Sequence, residues 1–201
     1  FKRVAKKADL EAPLQKWLEA FKWPPVGDII DRLSVPAPVF YRADDQRVVA
    51  LRNAQGIDGL EKMLTVDWEW FKRETVVARS VGVVLDSDDE DQAKRFGEAA
   101  EMLHGVGLVK PTSLGGVAQA TPRTGVFAFP GNGAPGTLES VLLPLGLAAY
   151  PDLARSAADY ADHWKANAES DRDFKELRAP AGRNKAAVGA MVAVLKPGRA
   201  V

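Results

Sequence analysis

The feature that most constrains the fold is an uninterrupted apolar stretch, residues 81–85, that runs directly into the acidic residues 86–91. Five residues without a polar position predict a central β-strand that is covered on both faces. The abrupt change from VGVVL to DSDDED predicts that this strand ends at an acidic loop. Residues 92–103 then carry apolar side chains at helical spacing, so we expect a strand, an acidic loop and a helix in that order.

Other segments extend this alternation. Residues 125–129 read as a second buried strand that runs into a loop rich in glycine and proline, residues 130–136, and residues 48–51 read as a further strand before a helix. Strands that alternate with helices predict an α/β domain with a mainly parallel sheet and helices on both faces. We expect a single domain over residues 1–201, with an N-terminal helical part at 1–45 and a helical C-terminal extension at 150–201.

Composition excludes several classes of function. The chain has 201 residues, 46% of them hydrophobic, enough for one substantial core. It has no cysteine and two histidines, which argues against disulfides and structural zinc. The 27 basic and 27 acidic residues argue against a broad nucleic-acid footprint. The longest apolar runs are too short to span a bilayer and no secretory pattern is visible, so we expect a cytoplasmic protein.

The acidic loop is the main candidate for chemistry. Ligands of open α/β sheets bind beyond the carboxyl ends of the strands. Asp86 and Asp88 lie two residues apart and therefore point to the same side of an extended backbone. Such a pair suits Mg²⁺ or Mn²⁺, because hard cations take one or two carboxylates together with water and phosphate oxygens. The alternative is that these acids cap the following helix, as we expect for residues 89–91.

Three further residues are candidates for the functional site, and each of them also has a purely structural interpretation. Glu139, in the first turn of the helix after the glycine-rich loop, is either a surface acid or a further ligand or base. Asn132 is either a turn residue or a ligand-facing amide. Lys185 begins the last helix and is either solvated or in contact with a phosphate, since basic residues dominate residues 175–201.

Four pieces together resemble the Toprim-like bacterial proteins of unknown function, distant relatives of the metal-binding domains of topoisomerases, primases and overcoming-lysogenization-defect nucleases. The pieces are residues 56–60, 81–88, 129–139 and 185–198. The resemblance implies about four parallel strands between helices, with Mg²⁺ held by a Glu after the first strand and an Asp-x-Asp after a later one. Asp86 and Asp88 match the Asp-x-Asp. Ala5 and Lys6 stand where Glu and Gly belong, and Gly131 stands where the family has Asp.

Two functions remain open at this stage. The resemblance implies a divalent-metal-binding domain related to phosphoryl-transfer and nuclease enzymes, acting on nucleic acid or nucleotide phosphates, with Asp86, Asp88 and Glu139 in catalytic roles. The alternative is a non-catalytic module of the same fold that binds a nucleotide, nucleic acid or protein. Neither involves a membrane, and both are compatible with a homo-oligomer.

Overall fold

The computed structural model describes residues 1–19, 37–44, 47–54, 56–74, 77–87, 91–131, 133, 135–167, 174–179 and 181–196. Its strands are β1 (Lys2–Arg3), β2 (Val39–Arg42), β3 (Val48–Leu51), β4 (Ser80–Asp86), β5 (Val117–Ala118) and β6 (Arg123–Phe129). Its α-helices are α1 (Ala12–Glu19), α2 (Ile57–Arg73), α3 (Gln92–Gly105), α4 (Leu138–Ala149), α5 (Pro151–Asn167), α6 (Lys175–Arg178) and α7 (Gly182–Leu195). The chain is therefore an α/β protein, as predicted, and none of the described helices is long and apolar enough to cross a membrane.

The chain divides into two compact units. The first contains Phe1–Val81, Glu101–Lys110 and Gln119–Arg123, and the second contains Gly82–Ala100, Pro111–Ala118 and Thr124–Val201. The single domain expected over residues 1–201 remains a prediction.

The first unit contains a small antiparallel sheet in the order β1-β2-β3. Phe40 of β2 pairs with Ala50 of β3, and Lys2 of β1 pairs with Arg42. The strand at residues 48–51 therefore exists, but its predicted place in a parallel sheet with residues 81–85 and 125–129 is wrong. An apolar stretch of four residues fits an antiparallel edge strand as well as a parallel one, so the sequence did not decide between them.

The second sheet has the order β4-β6-β5, and β5 pairs with β6 antiparallel. At one end of β4 and β6 the Arg123 N–H donates to the Arg79 carbonyl oxygen at 3.1 Å, and at the other end the Ser87 N–H donates to the Phe129 carbonyl oxygen at 3.2 Å. The first residue of β6 lies beside the first residues of β4, and the last residues of the two strands also lie beside each other. The two strands therefore run in the same direction, as predicted. The described residues thus form two three-stranded sheets rather than one parallel sheet of about four strands.

Burial on β4 and β6 alternates with a period of two. Val83, Val126 and Ala128 are buried, whereas Val84 and Phe127 are 61% and 37% exposed. The expectation that residues 81–85 are covered on both faces is therefore wrong for Val84. Valine also suits a strand that is buried on one face only, so an apolar sequence does not by itself show that both faces are covered.

The C-terminal helices pack through small residues. Ala154, Ala157 and Ala161 of α5 form a core with Ala187 and Met191 of α7. The described part of residues 150–201 is helical, as predicted, and contains α5, α6 and α7; that it extends a single domain remains a prediction. Small side chains let helix backbones approach closely, which explains why alanines supply this core.

A buried ion pair joins β3 to α2 in the first unit. The Nη1 atom of Arg52, just after β3, donates to both carboxylate oxygens of Asp67 at 2.6 and 2.7 Å. The two side chains are 6% and 13% exposed, and the guanidinium lies 5.9 Å from the centre of the Trp17 ring. Burial raises the pKa of Asp67, and the attraction and hydrogen bonds of Arg52 oppose that rise.

We predict that Asp67→Asn lowers the free energy of unfolding by about 3–5 kcal/mol, because it removes the carboxylate charge that compensates the buried Arg52 guanidinium. The double variant Arg52→Met/Asp67→Leu should lose much less, since it removes both charges. Urea denaturation at neutral pH measures both, with Asp152→Asn at an exposed position as the control. Equal losses in the single and double variants would contradict the ion-pair explanation.

The raised pKa of Asp67 also predicts how the free energy of unfolding changes with pH. The folded state holds this proton more tightly than the unfolded state, so the resulting stability is fully present below the unfolded pKa and is lost as the pH rises through the folded pKa. We therefore expect the stability of wild type relative to the double variant to fall as the pH rises from the unfolded pKa of Asp67 through its raised folded pKa.

Candidate functional site

The ends of β4 and β6 and the start of α4 meet in the second unit. We call this region the carboxyl edge and define it by residues 86–87, 129–131 and 136–139. Parallel strands end at the same edge of a sheet, so the acidic loop and the glycine-rich loop leave the sheet side by side. The predicted juxtaposition of these two loops is confirmed for the residues that the structure describes.

Ser87 holds the carboxyl edge together. It is fully buried, and its Oγ atom lies 2.9 Å from the carbonyl oxygen of Phe129 and 3.1 Å from that of Gly136. Its one hydroxyl proton is donated to either carbonyl. A single buried side chain therefore joins the end of β4 to both ends of the glycine-rich loop. We did not predict Ser87; the only signal was a small hydroxyl residue between two acids.

Asp86 caps α4. Its Oδ1 atom accepts a hydrogen bond from the Leu138 N–H at 2.8 Å. The first N–H groups of a helix have no partner within the helix, and the positive end of the helix dipole favours a carboxylate. The capping alternative is therefore correct for one oxygen of Asp86. The helix that it caps is α4, however, and not α3, which follows Asp86 in the sequence.

Glu139 follows Leu138 in the first turn of α4, so the structure brings its backbone beside Asp86. Its side chain is half-buried, and within the part of the chain that the structure describes its Oε2 atom is buried without a hydrogen-bond partner. A buried carboxylate oxygen without a partner costs free energy unless a donor or cation compensates it. Glu139 is therefore not a simple surface acid.

Backbone and side-chain contacts fix the geometry around these acids. The Ser140 Oγ atom accepts from the Thr137 N–H at 3.2 Å, and the Gln92 Nε2 atom donates to the Gly131 carbonyl oxygen at 3.3 Å. Gly136 has φ 137°, and a Cβ added there would lie 2.8 Å from the Ser140 Oγ atom. Only glycine fits this turn, because it tolerates positive φ and leaves space for Ser140.

The remaining predicted site residues are not brought to this edge by any contact among the described residues. Asp88 and Asn132 lie outside the described residues. Lys185 lies on α7, where it lines a cavity of about 270 Å³ together with Glu176, Leu177, Ala179, Ala181, Gly182 and Ala186. Its contact with a phosphate remains a prediction.

Two carboxylates at the carboxyl edge can supply part of a cation site. Over the described ranges, which omit Asp88, no group of three or more His, Asp or Glu side chains is placed to hold a metal ion. The chemistry of Asp86 and Glu139 nevertheless fits a hard divalent cation with few protein ligands.

We predict that Ser87→Ala lowers the free energy of unfolding by about 1–3 kcal/mol, because it removes the buried hydroxyl donor that the Phe129 and Gly136 carbonyl oxygens share, although the Ser87 N–H still donates to Phe129. Ser156→Ala, at an exposed position of α5, should change it by less than about 0.5 kcal/mol. Chemical denaturation of both variants measures the two free energies of unfolding. Equal small losses would show that the Ser87 hydroxyl does not stabilise the contact between the end of β4 and the glycine-rich loop.

Comparison with known proteins identifies a family without an activity. No curated protein and no solved structure matches the chain. The family DUF3226, described as proteins of unknown function, matches residues 26–201. That description leaves the resemblance to Toprim-like domains as a prediction. Because the match spans most of the sequence, the chain belongs to the DUF3226 family.

Proposed function

We propose that this chain is a Toprim-like domain that binds a divalent cation, Mg²⁺ or Mn²⁺, at the carboxyl edge and through it the phosphate of a nucleotide or nucleic acid. Two observations carry the proposal: Asp86 accepts a hydrogen bond from the N–H of Leu138, the residue before Glu139, and the Oε2 atom of Glu139 is buried without a hydrogen-bond partner among the described residues.

The electrostatics of this edge favour a cation. Carboxylates that lie close together repel one another, and a cation between them relieves both the repulsion and the unsatisfied oxygen of Glu139. Mg²⁺ in proteins commonly has one or two carboxylate ligands and completes its shell with water and phosphate. Asp88, two residues after Asp86, offers a further carboxylate from the same loop.

The surrounding residues suit a phosphate ligand. Ser87 and Gly136 hold the two loops at a fixed separation, so Asp86 is presented from a rigid strand end rather than from a free loop. The N-terminus of α4 adds a partial positive charge beside the carboxylates. A bound cation would supply charge stabilisation for a phosphoryl group, as in related phosphoryl-transfer and nuclease enzymes.

A non-catalytic binding module is the second candidate. It is favoured by the hydrogen bond from the Leu138 N–H to Asp86, because this carboxylate then serves to cap α4. It is also favoured by Gly131, which stands where the Toprim pattern has an acid. Fewer carboxylates suit binding better than turnover, because phosphoryl-transfer sites rely on metal ions for charge stabilisation.

We predict that Mg²⁺ or Mn²⁺ raises the melting temperature of wild type and not that of Asp86→Asn. Ligand at about 100 Kd stabilises a native state by roughly 2.7 kcal/mol. Asn keeps an oxygen that can accept from the Leu138 N–H, so this variant should stay folded while it loses the charge that a cation needs. Glu139→Gln should reduce the response for the same reason.

The matched control for this experiment is Asp152→Asn, which removes an exposed carboxylate from the first turn of α5. It should respond to metal as wild type does. An equal rise in wild type, Asp86→Asn and Glu139→Gln would mean that the carboxyl edge does not bind the cation.

We predict background cleavage of DNA and RNA oligonucleotides by wild type with Mg²⁺ or Mn²⁺, because Gly131 stands where the Toprim pattern has an acid and the described residues hold no group of three metal-ligating side chains. Gel analysis of labelled substrates measures this. Robust metal-dependent cleavage that Asp88→Ala abolishes would instead show an active enzyme.

A further inference from the structure

Helix α4 exposes apolar residues and no others. None of its residues is fully buried, and every residue that is exposed is apolar. The exposed residues are Leu138, Leu142, Pro144, Leu145, Leu147, Ala148 and Ala149. A helix that is apolar on all sides is expected to be covered on all sides. We call these seven residues the leucine surface.

The other side of α4 is already covered by the C-terminal helices. Leu143 packs against the alanine core of α5 and α7, and a Cβ added at Gly146 would lie 2.4 Å from the Cε atom of Met191. The leucine surface is therefore left outside this group of helices. Val194 and Leu195, about one turn after Met191, are 64% and 44% exposed and extend the apolar area at the end of α7.

The size of this apolar area fits a contact between two proteins. Leu142, Leu145 and Leu147 are 38%, 60% and 48% exposed, and Tyr150, directly after α4, is 51% exposed. With the end of α7, the exposed area is roughly 700 Å², whereas the largest apolar patch of a typical monomer is about 300–600 Å². Each partner in a standard interface contributes about 800 Å². The area is thus close to what one half of a stable dimer needs.

The charge of α4 favours an uncharged partner. Glu139 is the single ionisable residue of this helix, and it is half-buried. A nucleic acid or a charged peptide would find no counter-charge on the leucine surface. Helices that lie on a membrane typically carry Lys and Arg beside their apolar side, and α4 has neither. Two copies of the leucine surface, in contrast, meet without like-charge repulsion, and both lose exposed apolar area.

We propose that this protein is a homodimer in which the leucine surfaces of two copies pack against each other. A two-fold interface brings the same surface of each copy together, so the two α4 helices meet about an axis near the middle of the helix. Leu145 lies close to the middle of α4 and is its most exposed leucine. The two copies of Leu145 therefore lie near the axis.

The test is the mass of the full chain in solution, measured by size-exclusion chromatography with light scattering over a range of protein concentrations. We expect wild type to have twice the mass of one chain. Leu145→Glu should weaken dimerisation at least about 100-fold, because it brings two carboxylates together in an apolar contact. Val66→Glu, which adds the same charge at a half-exposed position of α2, is the control and should stay dimeric.

A pair of oppositely charged variants identifies the contact. Leu145→Lys alone should also be monomeric, whereas an equimolar mixture of Leu145→Glu and Leu145→Lys should regain the mass of a dimer, because opposite charges then meet at the axis. Circular dichroism checks that each variant keeps its helices. Ala148→Glu and Ala148→Lys, about one turn further along α4, replace the pair if the Leu145 variants unfold.

Wild type that is monomeric at every concentration would overturn the proposal, and so would folded Leu145→Glu that stays dimeric. A mixture of the two charged variants that stays monomeric would also overturn it. Monomeric wild type that floats with neutral phosphatidylcholine vesicles, when Leu145→Glu does not, would assign the leucine surface to a membrane instead.

Discussion

The buried hydroxyl of Ser87 is the contact on which the arrangement of the candidate site depends. A serine without solvent exposure must satisfy its hydroxyl within the protein, and here the carbonyl oxygens of Phe129, at the end of β6, and Gly136, in the glycine-rich loop, are within hydrogen-bonding distance. This contact fixes the distance between the ends of β4 and β6. Asp86, next to Ser87, then reaches the Leu138 N–H and anchors the start of α4.

The sequence predicted most of the local elements in the second unit. The apolar strand at residues 81–85, the strand at 125–129 and the long C-terminal helices are confirmed, because each carries a strong apolar pattern with a clear stop signal. Their parallel pairing was predictable from the alternation with helices. The sheet of the first unit was not, because short strands such as Val39–Arg42 have no distinctive pattern and depend on tertiary pairing.

The candidate site was predictable in part for a similar reason. Asp86 and Glu139 were identifiable because each carboxylate sits at the boundary of a clear element. The cap that Asp86 makes on α4 was not, because it joins residues 52 positions apart. Ser87 was missed because burial of a hydroxyl depends on carbonyl oxygens that only the folded loops bring near.

The proposed cation site depends on two carboxylates: Asp86, which accepts a hydrogen bond from the first turn of α4, and Glu139, which has a buried oxygen. The most direct measurement is Mn²⁺-induced broadening of backbone amide signals in a nuclear magnetic resonance spectrum of the full chain. We expect low Mn²⁺ concentrations to broaden the signals of Ser87, Leu138 and Glu139 first, and Mg²⁺ in excess to restore them. Broadening centred on exposed acids elsewhere, such as Asp152, with these three signals intact, would contradict it.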